Sequence, residues 1–116
     1  MSSTEPIPEP EPSRPWRPED GPAPVVWAWP AGGRPALGVW SAGRWRYAPV
    51  RARQEWADGT VRYQVEVDLL GDTTTTIQLY RWPQPGLRRV HPGTGEPTTE
   101  YDRTQGGDMP QVPPRR

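Results

Sequence analysis

The chain has 116 residues, no cysteine, one histidine, 18 prolines and 12 glycines, and its 14 arginines and 14 acids cancel to a net charge of zero. That length allows one small domain. The composition excludes disulfides, thiol nucleophiles and thiolate metal sites, and no run approaches the ~20 apolar residues of a membrane span.

The N-terminal part, residues 1–24, is read as a disordered, proline-rich acidic arm. It contains Pro6-Ile7-Pro8-Glu9-Pro10-Glu11-Pro12 and Arg14-Pro15-Trp16-Arg17-Pro18. Such runs favour extended polyproline II and pack no core of their own. With five acids and two arginines it carries a charge of −3. Its spacing suits aromatic-lined peptide grooves as well as a plain spacer, and Trp16 is an unusual residue for a spacer. It lacks an apolar run, so no signal peptide is expected. The absence of cysteine suits a reducing cytoplasm, the expected location.

Residues 25–92 are the expected folded domain, with nine arginines against five acids, a charge of +4. Val25 to Trp29 reads as a short strand that Pro30 stops. Leu37 to Trp40 reads as a second, turning at Ser41-Ala42-Gly43. Arg44 to Trp56 is a long strand whose apolar phase changes near Ala48-Pro49. Proline has no N–H for a ladder, so the strand is expected to bend or bulge there and to serve two sheets.

Asp58-Gly59 is a strong hairpin signal. Read as a two-residue turn, it sets Trp56 against Val61, Gln54 against Tyr63, Ala52 against Val65 and Val50 against Val67. The other face then pairs Glu55 with Arg62, Arg53 with Gln64 and Arg51 with Glu66. Thr60 to Leu69 alternates cleanly, with Val61, Tyr63, Val65, Val67 and Leu69 inward. A three-residue loop, Gly71 to Thr73, is preferred over a two-residue loop because it sets Val67 against Ile77 and Val65 against Leu79. Thr74 to Trp82 follows as a strand, Pro83 to Gly86 as a break or single 3-10 turn, and Leu87 to Val90 as a last strand. No α-helix is expected. Residues 93–116, with three arginines and four acids, read as a disordered polar tail.

Val39-Trp40-Ser41-Ala42-Gly43-Arg44-Trp45-Arg46-Tyr47-Ala48-Pro49-Val50, the Asp58-Gly59 hairpin and the Leu79-Tyr80-Arg81-Trp82-Pro83 end together resemble SH3-like barrels, and among them Tudor-type modules. The Gly43-Arg44-Trp45 start, the Ala52-Arg53-Gln54-Glu55-Trp56 strand and the Trp82-Pro83-Gln84-Pro85 end are also similar to uncharacterised small actinobacterial proteins. The resemblance covers residues 37–91. It implies an all-β, small SH3-like, partly open barrel of five to six antiparallel strands. Tudor-type modules recognise methylated side chains with an aromatic cage, for which Trp40, Trp45, Tyr47, Tyr80 and Trp82 could supply rings.

Chemistry has little to stand on. His91 is a lone imidazole, none of Ser2, Ser3, Ser13 and Ser41 sits in a nucleophile elbow, and no phosphate-cradling glycine motif occurs. No enzyme, metal or cofactor is expected. The expected function is a non-catalytic module that binds a protein or peptide through an aromatic and arginine face, with a nucleic-acid-binding barrel as the alternative. Under the preferred register Arg53, Arg62, Tyr80 and Trp82 share the outward face, with Trp45 and Tyr47 as further ring donors. Arginines among aromatics suit single-strand binding, and equally suit cation–π cover over exposed rings.

Overall fold

A computed structural model describes residues 6–99. It is all-β: β1 (Val25–Ala28), β2 (Ala36–Ser41), β3 (Arg44–Glu55), β4 (Val61–Val67), β5 (Thr76–Trp82), β6 (Leu87–His91) and β7 (Thr98–Thr99), all paired antiparallel. The described residues contain no α-helix. Their one 3-10 turn is Pro18–Asp20, whereas Pro83–Gly86 begins with a cis Trp82–Pro83 bond and closes through a Leu87 N–H to Gln84 carbonyl bond of 3.0 Å.

The long third strand does serve two sheets. Its first half, Arg44 to Pro49, pairs with β2, which pairs in turn with β6. Its second half, from Val50, pairs with β4 on one side and β1 on the other, and β4 pairs with β5. Pro49 stands at the hand-over, opposite Ala36. The ladder to β4 ends at Val50 opposite Val65, and a bulge between Val50 and Ala52 carries Arg51 out of register. There Arg51 and Arg34 both reach the carboxylate of Glu66, at 3.3 and 3.4 Å.

Both hairpin registers differ from the expected ones, by one residue next to each loop and by two at Val50 beyond the bulge, which faces Val65 instead of Val67. Trp56 N–H bonds the Thr60 carbonyl, and Gly59 N–H the Trp56 carbonyl, each at 2.9 Å, so the loop is Ala57 to Gly59. The Asp58 carboxylate accepts the Thr60 N–H at 2.9 Å and its hydroxyl at 2.6 Å, which holds Thr60 at the loop's end. Gly59, at φ +89°, takes the left-handed position that a three-residue loop needs. Glu55 therefore faces Val61, and Arg53 faces Tyr63. Beyond the bulge Ala52, Gln54 and Trp56 lie on the side opposite Tyr63. Trp56 is still buried, because the Arg62 guanidinium lies 3.5 Å from its ring centroid.

Between β4 and β5 the connection, residues 68–75, is longer than a tight hairpin turn. The Asp68 carboxylate organises it by accepting the N–H groups of Gly71 (2.7 Å), Asp72 (3.1 Å) and Thr73 (2.7 Å). Desolvation opposes the ionisation of Asp68, but these donors outweigh it and hold its carboxyl below the ordinary value. Glu66 then faces Ile77, Val65 faces Gln78 and Tyr63 faces Tyr80. A one-residue slip moves a strand's whole inward set. Ile77 is accordingly 44% exposed, and Tyr80 is 3% exposed in the core.

That core gathers Leu37, Val39, Ala48, Val50, Tyr63, Val65, Val67, Tyr80 and Leu87, with Trp29, Val61, Leu69 and Trp82 packed against it. Its largest fully buried side chains are valines, so the aromatic residues supply much of the buried area. Parts of both ends lie against the domain, residues 8–13 of the arm and 93–95 and 98–99 of the tail, while residues 1–5 and 100–116 of the expected disordered ends lie outside the described residues. β7 pairs with Trp27 and Ala28, and the arm packs along β5.

Two substitutions separate the observed register from the expected one. Tyr80→Ala should cost roughly 3–5 kcal/mol, as for a truncated core aromatic. Ile77→Thr, which keeps β-branching and adds no charge opposite Glu66, should stay within about 0.5 kcal/mol of the parent, as for an exposed site. Urea unfolding of both variants reads the difference, and large destabilisation by Ile77→Thr would refute the register.

Candidate peptide-binding edge

The observed registers divide the residues expected on one binding face. Trp27, Arg53, Tyr63 and Tyr80 stand in one row across β1, β3, β4 and β5. Directly paired residues share a face, so Arg53 and Tyr80 lie on the core side. Trp82 joins them, edge-on to Tyr63 at 5.7 Å between centroids and 88° between planes. Arg62 lies on the opposite face, over Trp56. Trp45 is on the other sheet, 5.3 Å from Trp40 and 4.1 Å below the Arg88 guanidinium. It packs over Gly38, where an added Cβ would meet Trp45, Arg88 and Val90 atoms at 3.2 Å. Tyr47 is 62% exposed and apart from the rest.

A different surface is assembled at β5. Among the described residues only β4 pairs with it as a strand, so its other edge offers backbone groups for a further segment. The arm fills that edge. Pro12 bridges Tyr80, and Ser13 N–H donates to the Leu79 carbonyl at 2.6 Å. One turn further, the Gln84 side chain reads the arm backbone from both sides. Its Oε1 accepts the Glu11 N–H at 2.9 Å, and its Nε2 donates to the Glu11 carbonyl at 3.1 Å. Nε2 also donates to the Arg81 carbonyl at 3.0 Å, which holds the amide in place.

The arm then crosses Gly86. A Cβ built there would come within 2.5 Å of the Pro8 carbonyl oxygen and 2.7 Å of Pro10 Cδ, so only glycine admits the crossing. Pro10 is buried, and the Glu9 carboxylate accepts the Ala42 N–H at 2.9 Å from the β2–β3 turn. On the other side the Arg14–Asp20 pair and the Arg17 N–H close the 3-10 turn. The hydrogen bond from Arg14, then that from Arg17, hold Asp20 well below the usual carboxylate range.

Alternation makes this arm fit. Pro8, Pro10 and Pro12 have preset φ and no donor to leave unpaired. The N–H groups of Glu11 and Ser13, two residues apart, both meet acceptors on the domain. The contact residues Gln84, Gly86 and Pro10 are absent from the expected site. The strict Pro-x alternation from Pro6 to Pro12 was the available signal for Pro10, and Gln84 and Gly86 had none.

A second concavity of about 400 Å³ opens at the far end of the core, between Trp29, Leu37, Val50, Tyr63, Arg53 and Arg89. Its arginines are already engaged, Arg53 with Glu55 and Arg89 over Trp82. Comparison with protein-family models, curated proteins and solved structures finds no match to this chain.

Tyr80 links the edge to stability. Burial, and then the Glu9 carboxylate of the arm, push its phenol above the ordinary value. The folded chain therefore keeps that proton to higher pH than the unfolded chain. The contribution is complete below the unfolded value of about 10 and is lost as pH rises through the folded value. Unfolding free energies measured from pH 8 to 11 should fall more steeply for the parent than for Tyr80→Phe.

Proposed function

We propose that this domain is a non-catalytic interaction module, built as a small SH3-like partly open barrel, that binds an extended, proline-containing segment of a protein or peptide along β5 and over Gly86. The carrying observation is the chain's own residues 8–13 in that position. Addition of a segment to a free sheet edge takes its affinity from main-chain hydrogen bonds and its specificity from alternate side chains. Here Gln84 and the Leu79 carbonyl supply the former, and the space over Gly86 that receives Pro10 supplies the latter. The arm is then an internal ligand. A tethered segment competes at an effective concentration of order millimolar, so an outside partner must bind better than the arm or arrive when the arm is displaced.

A peptide has more support than a nucleic acid. Three indoles that would stack on bases lie under arginines instead: Trp56 under Arg62, Trp45 under Arg88 and Trp82 under Arg89. Those pairings cover the ring faces on which bases would stack.

A peptide of residues 6–17, titrated onto a chain that begins at Ala23, should bind and quench or shift tryptophan emission. Changing Gln84 to Ala should weaken it roughly tenfold, the equivalent of one or two net hydrogen bonds. The affinity should change little between 50 and 200 mM salt, unlike phosphate-backbone binding. In the full chain, Gln84→Ala should speed amide exchange at Glu11 and Ser13 without unfolding the domain. A folded Ala23 chain that ignores the peptide, together with unchanged exchange in the full chain, would sink the reading.

A further inference from the structure

Arg62 and Arg81 stand directly opposite each other on β4 and β5, on the face away from the core. Like charges in that position repel. No carboxylate of the described residues makes an ion pair with either one. The nearest candidates are otherwise placed. The Asp58 carboxylate is held by Thr60 and attracts both arginines without forming an ion pair with either, and Glu11, on the arm, is exposed. Arg62 Nη1 donates to Ser13 Oγ at 2.6 Å, while its Nε is shielded from solvent with no hydrogen-bond partner. Its stack on Trp56 fixes the guanidinium plane. Between the two arginines and the arm lies a groove of about 720 Å³, lined also by Ser13, Thr60, Gln84 and Glu11.

We infer that this groove is a phosphoryl-binding site in which Arg62 and Arg81 jointly hold a dianionic phosphate against the arm. A dianion between the guanidiniums turns their repulsion into two charge-assisted attractions. Desolvation, which disfavours the charge on Arg62, is offset by the same group. The groove's other polar side chains already use their donors, Thr60 on Asp58, Gln84 on the Glu11 and Arg81 carbonyls and Ser13 on the Arg14 carbonyl, so the two guanidiniums carry the binding. Two carboxylates oppose the anion: Glu11, which is exposed and can turn to solvent, and Asp58, which is held by Thr60.

Two sources supply this chemistry. One is a phosphate monoester on Ser13 itself, whose Oγ already lies at Arg62. It would form by attack of that oxygen on the terminal phosphorus of a nucleoside triphosphate, with the nucleoside diphosphate leaving and the hydroxyl proton passing to the transferring enzyme's base. The other is a phosphate brought from outside the chain. On Ser13 the group would clamp the arm to β4 and β5 and raise the threshold for any competing peptide.

The test uses the full chain in three forms: the parent, Arg81→Gln, and a chain with phosphoserine encoded at position 13. Melting is followed in sodium chloride and in sodium phosphate at matched ionic strength. In chloride, Arg81→Gln should melt above the parent, because it removes a repulsion. Ten-millimolar phosphate should raise the parent by about 5 °C, the scale expected for a ligand near ten times its Kd. Most of that rise should vanish in Arg81→Gln, which also subtracts phosphate's general salting effect. If Ser13 is the source, the phosphoserine chain should melt higher than the parent in chloride and gain nothing from added phosphate. If the source is external, the parent alone should respond and the phosphoserine chain should show no gain. Equal phosphate responses in the parent and Arg81→Gln, with no stabilisation from phosphoserine, would overturn the proposal.

Discussion

The hand-over of β3 from one sheet to the other at Pro49–Val50 is the constraint on which the remaining architecture depends. Proline gives no N–H to a ladder, and the bulge that follows twists the strand away from its first partner. A single strand thus borders β2, β1 and β4 in turn. That arrangement encloses a core of valines and aromatics with few residues. It also leaves β5 and β6 without a ladder to each other, so the sheet system stays open along the β5 edge.

An open edge is a liability, because its unpaired groups template association with other chains. This chain answers with a proline-rich ribbon that pairs where it can and has no donors where it cannot. The contacts are individually modest. A net hydrogen bond in water is worth roughly 0.5–1.5 kcal/mol. Their placement gives them consequence, since the same ribbon covers Gly86, faces Tyr80 and reaches Arg62 through Ser13. A segment that protects an edge by reversible contacts is also one that a partner can replace. Protection and recognition are here two uses of the same backbone groups.

Arginine is the only strong cation in the sequence, and three arginines lie over indoles. In so small a domain there is not enough apolar surface to surround every ring. A guanidinium is flat and weakly hydrated, and covers an indole while keeping its edge in water. The pairings over Trp45 and Trp82 act chiefly as cover. At Arg62 the same stacking has a further effect, because it fixes a charge directly across from Arg81.

Strand positions were legible in the sequence because alternation, β-branching and Gly/Pro punctuation are local signals. The six main strands fall within two residues of their expected bounds, and Pro49 marked the change of sheet without any knowledge of the partner strands. Register was not legible. The side-chain period of a strand is two, so one residue decides which face every side chain takes. Here that residue was set by the carboxylates of Asp58 and Asp68, which wrap their loops through backbone donors. This moved Tyr80 and Arg53 to the core side, left Arg62 on the other, and dissolved the expected face. The seat of the arm was equally beyond local reasoning. Proline alternation determined an extended ribbon, but only the fold brings Gln84, Gly86 and the Leu79 carbonyl, some seventy residues away in sequence, into line to receive it.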